Sequence, residues 1–124
     1  MKVGMGGLTA AVEEALETYG REVVEGTRRV VRATAEQCRR EIREKSPRRT
    51  QKYAKGWRIK ETAQSSGLVE ETVYNAAAPQ LTHLLEDGHA KVNGGRVEGK
   101  AHIRPPVQRA EINLVSGLEE VVRR

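Results

Sequence analysis

The segment LTAAVEEALETYGREVVEGTRRVVRATAEQCRREIREK, Leu8–Lys45, decides the fold. Its apolar positions Leu8, Val12, Leu16, Tyr19, Val23, Val30, Thr34, Cys38 and Ile42 recur mostly at steps of three and four, with Gly26 or Thr27 filling the one gap. That period is the mark of an amphipathic helix with one stripe turned toward a packing surface. Charges occupy the other faces, and Glu17/Arg21, Glu25/Arg29, Glu36/Arg40 and Glu41/Lys45 stand four apart in the favoured acid-before-base order. Gly20 and Gly26 each cost roughly 1 kcal/mol in a helix interior, so the reading leaves room for a bend or break there. Unbroken, the helix spans about 55 Å, long enough to reach past its own core to a neighbour.

Ser46-Pro47 ends this helix, because the residue before a proline is pushed out of the α region. Beyond it, Gly56-Trp57-Arg58-Ile59-Lys60 alternates like a half-buried strand, residues 63–67 read as a turn, and Leu68 to Asn75 as the returning strand of a hairpin. Gln80 to Asp87 predicts two helical turns closed by Gly88. Residues 89–100 are loop-like around Asn93, Gly94, Gly95 and Gly99, with a short strand near Ala90 to Val92. Pro105 or Pro106 suits the first turn of a last helix whose apolar face is Val107, Ala110, Leu114, Leu118 and Val121, with Gly117 as its weak point. The expectation is an α+β fold: long N-terminal helix, antiparallel hairpin or small sheet, short helix and C-terminal helix.

At 124 residues, the chain (1–124) fits one domain. It is 37% hydrophobic and 3% aromatic, with no Phe, a lean core that is compatible with stability borrowed from neighbouring subunits. The net charge of +5 favours nucleic acid, an acidic protein surface or anionic lipid without choosing among them. One cysteine, Cys38, excludes an internal disulfide and points to a reducing compartment. No apolar run approaches the roughly 20 residues that cross a bilayer, and no secretory signal is visible, which points to a soluble protein.

The residue types that carry chemistry are poorly arranged for it. His83, His89 and His102, with Glu86 and Asp87, are the conceivable metal ligands, but no HExxH or CxxC spacing unites them. Cys38 falls on the apolar stripe, where a thiol is inert packing. No phosphate-binding loop and no poised carboxylate pair can be picked out. The chain reads as a non-enzyme without metal or cofactor. The strongest local signal is Lys45 to Lys60, seven positive charges with no acid, interleaved with Tyr53 and Trp57. Such a stretch can track a phosphate backbone and stack on bases. The plainer and preferred reading is that Trp57 and Ile59 face the core with the charges as a solvated rim; a third is that the loop meets acidic neighbouring subunits.

In order along the chain stand Tyr74-Asn75, His83-Leu84-Leu85-Glu86-Asp87-Gly88-His89, a glycine-bearing loop, and Ala101-His102-Ile103-Arg104-Pro105. Together with the long helix and Ser46-Pro47-Arg48-Arg49-Thr50, this arrangement resembles the phage tail-component proteins that serve as neck and tail-completion proteins of siphophage-type particles. The family commonly has Gly after the Thr, where this chain has Gln51, and an aromatic where it has Asp87. The resemblance implies a structural virion protein at the head–tail connection, made and assembled in the host cytoplasm, forming a ring or docking between the portal-side connector and the tail tube or terminator. His83, Glu86, Gly88, His102, Arg104 and Pro105 carry the motif. Subunit-facing or DNA-facing positions would be the long helix stripe, Lys45, Arg48, Arg49, Lys52, Tyr53 and Lys55, and Lys91, Arg96 and Lys100 on the glycine loop. The other reading is a stand-alone basic nucleic-acid-binding module.

Overall fold

The computed structural model describes residues 5–48 and 51–123; for residues 5–9 and Leu16 it describes the helix they belong to and not their side chains. Arg49 and Thr50 lie outside the described residues. Helix α1 runs unbroken over Met5–Lys45, about 60 Å, and everything else is arranged along its C-terminal two-thirds. A one-turn helix α2 (Lys52–Lys55) leads into strand β1 (Trp57–Ala63), which pairs antiparallel with β2 (Val69–Asn75) from Trp57↔Asn75 to Ala63↔Val69. A 3-10 turn over Pro79–Leu81 continues into α3 (Thr82–Asp87), so the expected two-turn helix is split between two geometries. The segment read as mainly loop is an ordered small hairpin, β3 (Gly88–Ala90) with β4 (Arg96–Glu98). Helix α4 (Arg104–Arg123) closes the fold, and the architecture is α+β.

The strand period explains the hairpin. Trp57 and Ile59 turn inward while Arg58, Lys60, Thr72 and Tyr74 are exposed, so one sheet face lies on α1 and the other meets solvent. Contacts along its length hold it there: Trp57 packs with Ile42, and Arg32 donates to both oxygens of Glu61 at 2.7 and 3.2 Å. At the hairpin tip, Gly67 comes up to Val24. The other face of α1 carries α4 antiparallel, with Arg109 donating to Glu41 at 2.7 Å near one end and Val121 meeting Gly26 at the other. Some expected ion pairs are therefore re-partnered, Glu41 crossing to Arg109 instead of Lys45 and Glu25 taking Arg28 at 2.9 Å instead of Arg29.

The core proper sits at the foot of the molecule, where α1 ends. Cys38, Ile42, Tyr53 and Trp57 form it, and Val73, Ala78, Leu81, Leu85, Ile103 and Ala110 pack around it. Two of its members, Tyr53 and Trp57, stack edge-on with each other and with the neighbouring His102, ring centroids 5.5 to 6.2 Å apart. These edge contacts add roughly 1 kcal/mol each beyond burial, a sizeable gain for a chain with so few aromatics.

The glycines of the helix pair do not break it. A Cβ on Gly117 would stand 2.6 Å from Val30 Cγ1, and one on Gly26 would stand 2.9 Å from Val121 Cγ1. The two helices thus approach through a reciprocal Gly–Val fit, and the close approach explains residues that cost helix propensity. Gly20, by contrast, has nothing within 4 Å. Gly117→Ala is expected to lower stability by about 1–3 kcal/mol through overpacking. Gly20→Ala should raise it by about 0.5–1 kcal/mol. Urea unfolding of the two variants checks both signs at once.

Candidate assembly surfaces and the buried network beneath them

The HLLE-x-G and HIRP segments meet in space. Glu86, buried on α3, takes the backbone N–H of His102 at 2.7 Å and of Ile103 at 2.9 Å on Oε1, and that of Arg104 at 2.9 Å on Oε2. These are the donors that the start of a helix leaves without intrahelical partners. Pro105 and Pro106 have no N–H to satisfy, and Val107 N already reaches Ile103 O at 3.0 Å. Glu86 is therefore a cap supplied from another element, with its negative charge at the favourable end of the α4 dipole. Burial alone would raise its pKa, but the three N–H donors outweigh burial and hold the carboxyl below its ordinary range.

His102 is 0% exposed and completes the network. Its Nδ1 lies 2.7 Å from Lys100 O, and a carbonyl only accepts, so Nδ1 carries the proton. Nε2 is then the acceptor for the Tyr53 hydroxyl at 2.7 Å. Burial, and after it the charge of Glu86, pushes the Tyr53 hydroxyl up to about 12, which keeps it a donor. Alongside, the Trp57 indole donates to Ser46 Oγ at 2.8 Å, and Ser46 Oγ donates to Ile42 O at 2.6 Å. Asn75 donates to Tyr53 O at 2.8 Å while its Oδ1 accepts from Ala77 and Ala78 at 3.0 and 2.8 Å. Ser46 and Asn75 were missed as network members. Their sequence signals were a serine before a helix-ending proline and an asparagine opening a turn.

The structure divides the other candidates. Lys45, Arg48, Lys52 and Lys55 are exposed at the foot; Lys91, Arg96 and Lys100 are exposed on or beside the small hairpin there. Tyr53 and Trp57, at 5% and 3% exposure, have no free ring face, which corrects the reading of Tyr53 as an interface or base-stacking residue. His83 is exposed and outside the Glu86 network, while Arg104 is exposed and bonds Asp87 at 3.1 Å. Pro105 is half-buried, and Gly88 turns the chain with φ 80°. Gln51 has φ 66°, in the left-handed region that favours glycine. Among the described residues no group of three or more His, Cys, Asp or Glu is placed to hold a metal. Burial pushes the Cys38 thiol up, away from the nucleophilic thiolate.

One open groove, of about 520 Å³, crosses the foot between β2 and the start of α4, with Ile42, Trp57, Val73, Tyr74, Ile103 and Val107 on its walls. Glu71 stands at its margin, directly opposite Glu61 across the strands. Arg32 holds the Glu61 carboxyl down to about 2, while burial and the facing Glu61 raise Glu71 to about 7. The shared proton thus sits on Glu71. A carboxyl raised in the fold stabilises it fully below its unfolded value and loses that contribution as pH rises toward 7. Glu71→Gln should flatten the decline in stability between about pH 4.5 and 7.5, read from urea midpoints across pH. At the α4 cap, Glu86→Ala is expected to cost about 3–5 kcal/mol by stranding three donors, and Glu86→Gln visibly less. Chemical unfolding of both variants tests that order.

An α+β protein spun along one over-long helix, with a polar foot and a half-sheathed far end, is the class these features define. The chain belongs to the HK97-gp10-like family of bacteriophage tail components: the family described as "Bacteriophage HK97-gp10, putative tail-component" matches residues 10–88, more than half of the chain. Glu86 and Gly88 lie inside the match, and His102, Arg104 and Pro105 beyond it. No curated protein and no solved structure matches the chain. No helix among the described residues is long and apolar enough to cross a membrane.

Proposed function

We propose that this protein is a structural subunit of the head–tail connection of a tailed phage, a neck or tail-completion component that works without catalysis. The family match carries the reading. The shape supports it: a long helix with the core at one end and an exposed arm at the other suits a repeated docking part. Copies would assemble with cyclic symmetry, the common solution for identical subunits. Their neighbours would be the portal-side connector and the tail tube or its terminator, and the protein would reside in the virion after assembly in the host cytoplasm.

The exposed cations at the foot also support a second reading, a stand-alone nucleic-acid binder. With Tyr53 and Trp57 buried, that reading keeps only phosphate contacts and loses base stacking.

The test is negative-stain microscopy of lysates from the parent phage carrying an early stop codon in this gene. Filled heads beside separate tails are the expected result, and overlong tails would assign a terminator role instead. Normal infectious particles would overturn the proposal, and a free protein binding DNA with a salt slope of about −0.9 per phosphate contact would then favour the second reading.

A further inference from the structure

Helix α4 reaches Gly26 of α1 through Val121 and ends two residues later at Arg123. From Val30 and Gly26, which receive α4, the α1 positions Val23, Tyr19, Leu16 and Val12 continue toward the N-terminus in one unbroken alternation of four and three residues. The stripe that receives α4 thus continues along the arm in sequence, and at Val12 and Tyr19 it meets solvent. Val12 and Tyr19 are 50% and 48% exposed, and every described side chain from Ala10 to Tyr19 is exposed.

The two ends of the rod carry opposite charge. From Ala10 to Gly20 the arm has Glu13, Glu14 and Glu17 and no cation. The foot presents Lys45, Arg48, Lys52 and Lys55, with Lys91, Arg96 and Lys100 beside them, all exposed. Pairing two arms would bring like charges together, whereas an arm against a foot pairs opposite ones. Tyr19 and Lys45 are separated by roughly 40 Å of continuous helix, so an arm cannot reach its own foot.

We infer that the acidic arm of α1 docks on the basic foot of a second copy of this chain. Arm and foot are different surfaces, so the contact is heterologous: each copy offers one of each, and the series extends until it closes on itself. The inference rests on the ring reading above and supplies its contact.

The test uses the full chain with Glu17→Cys and Lys52→Cys together, treated with a short bismaleimide at high protein concentration and low salt. The expected product is a ladder of covalent dimers, trimers and higher species ending at the ring number. Each single-cysteine variant should give dimers at most, and buried Cys38 should stay unmodified. In parallel, Glu13→Lys/Glu14→Lys/Glu17→Lys should weaken self-association roughly tenfold in sedimentation, and Lys52→Glu/Lys55→Glu should restore it. A double-cysteine variant giving no species above dimer overturns the arm–foot contact. If the unmodified protein nonetheless sediments as a closed oligomer, the ring reading stands and only this contact falls. If it stays monomeric with no ladder, the contact falls, and the stop-codon phage decides the ring reading separately.

Discussion

A single carboxylate ties the two halves of this molecule together. Glu86 arrives on a helix of one and a half turns that could not hold itself in water, and it terminates the otherwise bare start of α4. Without it, the entry to α4 would leave buried donors unmet, and α4 is what covers the far face of α1. The same three-residue corner places His102, which fixes Tyr53, whose carbonyl in turn receives Asn75. Hydrogen bonds thus run from the α4 cap to the base of the hairpin through groups that are almost wholly out of water. Such a network specifies one arrangement strongly because any partial version of it is costly.

The polar core also explains how a composition this poor in aromatics supports a fold. The ring cluster of this core is Tyr53, Trp57 and the imidazole of His102, and the polar atoms of all three are satisfied internally. Apolar area alone is short here, and specificity comes instead from directed contacts. The Gly–Val reciprocity between α1 and α4 makes the same point for the helix pair, since contact distance there is set by missing side chains.

Helical and strand periods were legible in the residues, because α1, α4 and the main hairpin each bury one regular face. So was the order of HLLE and HIRP along the chain; that the two meet, one acid taking three N–H groups ahead of two prolines that have none, needs the folded geometry. Gly26 and Gly117 show why the remainder was hidden. Glycine in a helical pattern reads equally as a weak point or as a close approach, and only the partner helix decides. Tyr53 misled for a related reason: an aromatic among cations looks like a stacking platform until a buried histidine is found 49 positions away along the chain to bond its hydroxyl. The short strand expected near Ala90 to Val92 falls at Gly88–Ala90, and its partner Arg96–Glu98 stayed hidden because a three-residue strand carries no readable period.

The helix pair that gives the rod its stiffness joins segments nearly a hundred positions apart, Gly26 with Val121. During synthesis α1 emerges first and can take the β1–β2 hairpin early, but the face that receives α4 stays uncovered until α4 has left the ribosome. Non-local closure of this kind is slow to nucleate. A virus that makes many copies of such a chain at once therefore depends on timing: each subunit must find its own α4 before it meets the bare stripes of its unfinished siblings.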